Sequence, residues 1–207
     1  MNSHDVVVIG AGPAGAIAAT LLARRGAAVA MLAPETAETE RIGESLPAFA
    51  ADLLDSYELP GPLSDNRHVP ISGTLSAWGG LRTDHDAFGD PGGPNWRLDR
   101  RVFDTELGWA AIDAGAVPYA TWVARAEREG RGWRVICETG DCLSATWLID
   151  ATGRRGLIGR AHGGAVNQHN RQVAIWSVGP AMGAGVSPTA RTLIESDVDG
   201  WWYGAVL

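Results

Sequence analysis

Residues 5–15 read Asp5-Val-Val-Val-Ile-Gly10-Ala-Gly12-Pro-Ala-Gly15. A short continuous apolar run, the pattern of a strand buried on both faces, passes directly into three glycines spaced as G-x-G-x-x-G. From Ala14 to Arg25 the period becomes helical. Ile17, Leu21 and Leu22 share a face, Arg24 and Arg25 close the last turn, and Gly26 follows as the stop. Residues 28–32 are a second buried strand. Strand, turn, helix and strand in this register form a βαβ unit with a dinucleotide-binding first turn. Gly10 makes the tight turn, Gly12 lets the backbone approach a pyrophosphate, and Gly15 lets helix and strand pack closely. Ala11, Pro13 and Ala14 complete the turn, whose helix N-terminus offers N–H groups and a positive dipole end.

In such units the second strand ends in an acid that binds the adenosine ribose. That place here is Ala33. The missing acid either weakens recognition of the ribose hydroxyls or moves the role to Glu35, two residues on, or to the backbone.

The 207 residues suit one domain, or one domain and the start of another. Apolar residues are 45% and charged residues 20%, a globular composition. The chain is acidic, with 24 acidic against 17 basic residues, which argues against binding nucleic-acid phosphates. All the basic residues are arginine, so mechanisms that need a lysine amine are excluded for these residues. Two cysteines, Cys137 and Cys142, make neither a disulfide framework nor a four-thiolate metal site. Asp84-His85-Asp86 and the separated His162 and His169 read as solvated loops, so no metal is expected. The N-terminus has no basic region ahead of an apolar stretch, and Arg24-Arg25 interrupt the longest apolar window. No signal peptide and no membrane span are expected, and the expected compartment is a reduced cytoplasm.

Residues 34–95 are irregular and rich in Pro and Gly, with one short helix near 47–57. Residues 98–116 are helical, with Phe103, Leu107, Ala110 and Ala114 on one face. Strand-like runs at 120–127, 133–138 and 143–150 are joined by EGRG and ETGD turns, a β-meander. Residues 151–165 form a Gly- and Arg-rich loop, and further strands are expected at 172–178 and 191–196. On this reading Trp122, Trp133, Trp147 and Trp176 belong mostly to the core.

The order of elements, with Arg41-Ile-Gly-Glu44-Ser45, Trp96-Arg-Leu-Asp-Arg100-Arg-Val-Phe-Asp104, Asp150-Ala-Thr-Gly153 and Gly200-Trp-Trp-Tyr203, resembles the FAD-dependent monooxygenase and tryptophan-halogenase-like flavoproteins. Their fold is that of p-hydroxybenzoate hydroxylase, and the nearest resemblance is to flavoproteins that mature protein-derived quinone cofactors. The resemblance implies an α/β fold. A glutathione-reductase-type FAD-binding Rossmann domain with a β-meander would occupy residues 1–165, with 34–95 contributing to the substrate side. Residues 166–207 would begin a mixed-sheet substrate domain that is apparently truncated.

Site residues follow from the resemblance. Arg41 and Arg100 either fork onto the FAD pyrophosphate and ribityl region or make surface ion pairs. Gly43, Glu44 and Ser45 lie near the flavin, Glu44 either as a carboxylate beside the ring or as a helix N-terminal charge. Val123 meets adenine through its backbone. Asp150 either accepts from a ribityl hydroxyl or ends a strand, and Ala151 and Gly153 allow close backbone approach. Trp201 and Trp202 either line a substrate pocket or pack.

The implied reaction is a monooxygenation. NAD(P)H reduces the FAD, O₂ adds at flavin C4a, and the distal oxygen passes to an aromatic ring. That ring belongs to a small molecule or to a tryptophan or tyrosine side chain of a partner protein. Halogenases of this superfamily depend on a lysine, which residues 1–207 lack. An isoprenoid-type flavin reductase and an inactive fragment are the alternative readings.

Overall fold

The computed structural model describes residues 2–34, 45–62, 65–87, 92–167, 172–179 and 191–205. Two compact units divide the chain, Met1–Glu40 with Phe103–His169 and Arg41–Val102 with Asn170–Leu207.

The first unit is built on a six-stranded sheet. Strand β1 (Asn2–Ile9) leads through the glycine turn into helix α1 (Pro13–Arg24), and β2 (Val29–Leu32) follows. In chain order β3 to β7 lie in the second unit; the first unit resumes with helix α3 (Arg100–Asp113), whose opening residues belong to the second. Then come β8 (Val117–Tyr119), β9 (Val123–Glu129), β10 (Gly132–Cys137), β11 (Cys142–Asp150) and the short helix α4 (Leu157–Ala161). The strand order is β8-β2-β1-β11-β10-β9. β8, β2, β1 and β11 are parallel, while β9, β10 and β11 form the antiparallel meander. Strand β11 belongs to both. Residues 142–145 pair with β10, and residues 143–150 pair with β1 up to Ile9↔Asp150.

Alternation along the central strands feeds two cores. Val7, Ile9, Ala30 and Leu32 pack with Val135 and Leu143 of the meander. Val6, Val8, Val29 and Met31 pack with Ala19 of α1 and Ala111 of α3. The parallel strands are therefore covered on both sides, as their unbroken apolar sequences require. The face of α1 that is fully buried consists of Gly15, Ala16, Ala19 and Thr20, while Ile17, Leu21 and Leu22 are only half-buried. Small residues let the helix lie close to the sheet, so the larger apolar residues mark the flank of its buried stripe.

The second unit holds two sheets. β3 (Ser45–Leu46), β7 (Asn95–Arg97) and β4 (Val69–Ile71) form one, in the order β3-β7-β4. β13 (Gly200–Ala205), β12 (Arg191–Asp197), β5 (Gly73–Trp78) and β6 (Leu81–Asp86) form the other, in that order. Helix α2 (Ala48–Ser56) follows β3. Residues 34–95 are expected to be irregular outside one helix; their described residues contain β3, β4, β5 and β6 and the start of β7. Gly79 and Gly80, both at positive φ, make a two-residue hairpin turn between β5 and β6. The mostly polar β6, exposed along its length, lacks the apolar alternation that marks a half-buried strand. Buried Arg97 donates to Thr192 Oγ1 at 3.1 Å, tying β7 to β12.

Three other expectations are corrected. Residues 172–179 form no strand. Trp176 there is 53% exposed, and Trp147, in register with Val6 of β1, is 68% exposed. Of the strand expected at 120–127, residues 123–127 lie in β9, while Ala120, Thr121 and Trp122 separate it from β8, a strand the sequence did not suggest.

Candidate functional site

The carboxyl ends of β1, β2 and β11 lie side by side, with Ile9 in register with both Leu32 and Asp150. This is the edge where open α/β sheets bind ligands. Gly10 has φ of +108° and donates its N–H to the Leu32 carbonyl at 2.7 Å. A Cβ on Gly10 would run into the Ala151 carbonyl, and one on Gly15 would run into the Gly10 carbonyl. Gly12 differs from both. It caps α1 in an extended conformation, and a Cβ there would meet nothing within 4 Å. The first bond within the helix is Ala16 N–H to the Gly12 carbonyl at 2.9 Å, so the N–H groups of Ala14 and Gly15 lie ahead of the helical ladder. Two glycines lock the turn against Ala151, and the third leaves open backbone at a helix N-terminus. That combination fits the pyrophosphate of a dinucleotide.

Asp150 organises the opposite wall. Its Oδ1 accepts from the Thr152 N–H at 3.1 Å and the Thr152 hydroxyl at 2.6 Å. Its Oδ2 accepts from the N–H groups of Ile158 at 2.9 Å and Gly159 at 3.0 Å. Partial burial opposes the charge on this carboxylate, but the bonds from Thr152, Gly159 and Ile158 outweigh it and hold the carboxyl below its ordinary pKa. Four accepted bonds fill both oxygens, so within this geometry Asp150 shapes the 151–159 segment from inside. The Ala151 N–H donates to the Ile9 carbonyl at 2.9 Å, continuing the β1–β11 ladder past the turn. Gly153 has φ of +63°, which turns the chain away.

The Arg155 guanidinium lies over the Trp122 ring, 4.9 Å from its centroid. This contact joins the 151–159 segment to the start of β9, where half-buried Val123 packs against the core containing Ile9 and Leu32. Ala33 follows β2 and donates to the Tyr119 carbonyl at 3.0 Å. The fold therefore gathers Gly10–Gly15, Ala33, Val123 and Asp150–Gly153 into the first unit.

The remaining candidates belong to the second unit or are outside the described residues. Glu35, Arg41, Gly43 and Glu44 are outside them. Ser45 opens β3, and its hydroxyl is 2.8 Å from the Tyr203 hydroxyl. Arg100 is the first residue of α3 and is half-buried. Trp201 and Tyr203 point to one face of β13 and Trp202 to the other, because side chains alternate along a strand. The sequence signal for Tyr203, which the motif alone gives no role, is its place two residues after Trp201. No cluster of His, Cys, Asp and Glu suited to a metal occurs among the described residues. No described helix is long and apolar enough to cross a membrane.

Residues 5–52 match the family described as "Glucose inhibited division protein A". The whole chain aligns at 29% identity with 58% of the "Putative FAD-dependent oxidoreductase LodB" of Marinomonas mediterranea. The myxobacterial chondrochloren halogenase CndH superposes with a TM-score of 0.77 over all of this chain and 51% of its own, at 22% identity. The fold is the glutathione-reductase-type FAD-binding fold that these FAD-dependent proteins share. The peptidyl tryptophan dihydroxylase QhpG, essential for tryptophylquinone cofactor biogenesis, shares it with a TM-score of 0.67 at 24% identity. QhpG matches over 97% of this chain and 42% of its own. The chain thus spans about half the length of these proteins.

Proposed function

We propose that the chain is the FAD-binding portion of an FAD-dependent monooxygenase that hydroxylates an aromatic ring. The observation that carries this reading is the turn itself, with Gly10 and Gly15 closed against Ala151 and Gly12 open at the N-terminus of α1.

The N–H groups of Ala14 and Gly15 and the positive end of α1 would hold the pyrophosphate. Ala33 and Glu35 flank the ribose, and Val123 meets adenine through its backbone. Arg41 and Arg100 supply guanidinium forks for the phosphates and ribityl chain. Gly43, Glu44 and Ser45 serve the flavin end. Asp150 holds the segment that brings Ala151 and Gly153 to the cofactor. Bound FAD supplies the redox chemistry: one oxygen atom of O₂ enters the ring, the other leaves as water, and NAD(P)H supplies two electrons. The chain's own residues bind, orient and exclude water.

Trp201 shares a face of β13 with Tyr203, whose hydroxyl meets that of Ser45, a setting suited to a flat ring with a polar substituent. A tryptophan or tyrosine side chain of a partner protein has that chemistry, as does a small phenol or indole. QhpG, whose substrate is a peptidyl tryptophan, supports the protein-borne case.

The test is to purify the chain, add FAD, remove the excess and record the visible spectrum, then add NADH or NADPH without oxygen. Retained flavin absorbance that bleaches with either donor is the expected result. A protein that retains no flavin overturns the reading for this chain.

A further inference from the structure

Within the second unit, the start of helix α3 is held by a residue that the sequence did not single out. Asp99 caps the helix, its Oδ1 accepting from the N–H groups of Arg101 at 2.9 Å and Val102 at 3.2 Å. The Asp99 N–H in turn donates to Nδ1 of His68 at 3.1 Å. His68 is 4% exposed and directly precedes β4, whose pairing of Val69 with Arg97 brings it beside Asp99. An imidazole nitrogen that accepts carries no proton, so this bond fixes the tautomer with hydrogen on Nε2. Arg100 lies between the tied residue and the capped ones, so its backbone is anchored on both sides.

We propose that His68 is a positioning residue for Arg100, setting the guanidinium that holds the FAD phosphate and ribityl region. The inference rests on the FAD reading above. Arg100 has a long, flexible side chain, and its bidentate grip on phosphate depends on where its Cα is held. His68 supplies that hold through Asp99 without touching the cofactor. A buried histidine placed only for packing would tolerate any residue of similar shape. A positioning histidine requires an acceptor where Nδ1 stands.

The experiment titrates FAD, read by quenching of its fluorescence, into the full chain and the variants His68→Leu, His68→Asn, Arg100→Met and the double variant His68→Leu/Arg100→Met. Asn places an amide oxygen near the Nδ1 position; Leu places none. The expected result is a Kd raised about three- to tenfold by His68→Leu, the effect of one buried hydrogen bond. His68→Asn restores most of that loss, and His68→Leu adds nothing once Arg100 is Met. Equal losses in Leu and Asn, or an undiminished effect of His68→Leu in the Arg100→Met background, overturn the proposal. If Arg100→Met binds FAD as the wild type does, Arg100 does not grip the cofactor and the proposal falls with it. Amide exchange at Arg101 and Val102 reads the tie without FAD. Faster exchange in His68→Leu than in His68→Asn supports it, and equal exchange in the two overturns it even where the chain takes up no flavin.

Discussion

Gly10 and Ala151, 141 positions apart in the chain, occupy space that leaves no room for a Cβ between them. The contact closes the glycine turn against the segment that follows β11. Gly10→Ala therefore meets two penalties, a collision with the Ala151 backbone and a residue forced to hold φ of +108°. Strain of that kind costs of order 1–3 kcal/mol. A lowered urea midpoint for the first unit is expected without any ligand present. An unchanged midpoint would contradict the packing.

Asp150 predicts a pH dependence. Its carboxyl is held below the ordinary value because the bonds from Thr152, Gly159 and Ile158 outweigh the cost of partial burial. A depressed pKa means that the stabilisation is complete above the unfolded value, about 3.9. It is lost as pH falls through the folded value. Asp150→Asn keeps one accepting oxygen and should cost about 1 kcal/mol near neutral pH, a low figure because the group is partly solvated. The gap between the wild type and the variant should narrow as the pH falls below the ordinary carboxylate range. A gap that persists undiminished in acid would contradict the assignment.

Alternation along β13 separates the two tryptophans. Trp201 shares its face with Tyr203, whose hydroxyl meets Ser45, and Trp202 points to the other face. With FAD and reductant present, Trp201→Ala should raise KM for an N-acetyl-tryptophanamide probe by about fivefold or more, the loss of one aromatic contact. Trp202→Ala should leave KM within about twofold. The reverse order would place the substrate on the opposite face.

The cysteines provide an independent check on the meander. Cys142 opposes Ile136 in the β10–β11 pair, while Cys137 faces the core. Burial, with Asp141 and Cys142 nearby, pushes the Cys137 thiol above its usual pKa. An aromatic disulfide reagent at pH 8 should label one thiol, Cys142, and reach the second only after denaturation. Rapid labelling of both would mean that the meander packs differently.

The sequence made the first unit legible and much of the second obscure, for a physical reason. Val6–Ile9 and Val29–Leu32 are buried on both faces, so each is an unbroken apolar run, and Gly10, Gly12 and Gly15 sit where backbone geometry permits little else. β5 and β6 are short and half polar. Their turn signal, Gly79-Gly80, has flanking strands with no clear apolar alternation, so the hairpin was hidden. Sequence does not separate a ligand role for Asp150 from a strand end, because its four donors come from residues 152–159 in a local fold that spacing does not reveal. His68 carried no signal, since its partner is a backbone N–H 31 positions away.

The central claim is that Gly12 keeps an open backbone for a dinucleotide while Gly10 and Gly15 serve packing. Calorimetric titration of FAD into the wild type and Gly12→Ala, alongside their melting curves, tests it most directly. Gly12 has ordinary helix-cap dihedrals and no neighbour within 4 Å of an added Cβ, so Gly12→Ala should cost at most about 1 kcal/mol of stability. Its FAD affinity should fall by about tenfold or more, because the methyl holds phosphate oxygens off the backbone N–H groups. A Gly12→Ala protein that binds FAD as tightly as the wild type, or a wild type that binds none, would contradict the account.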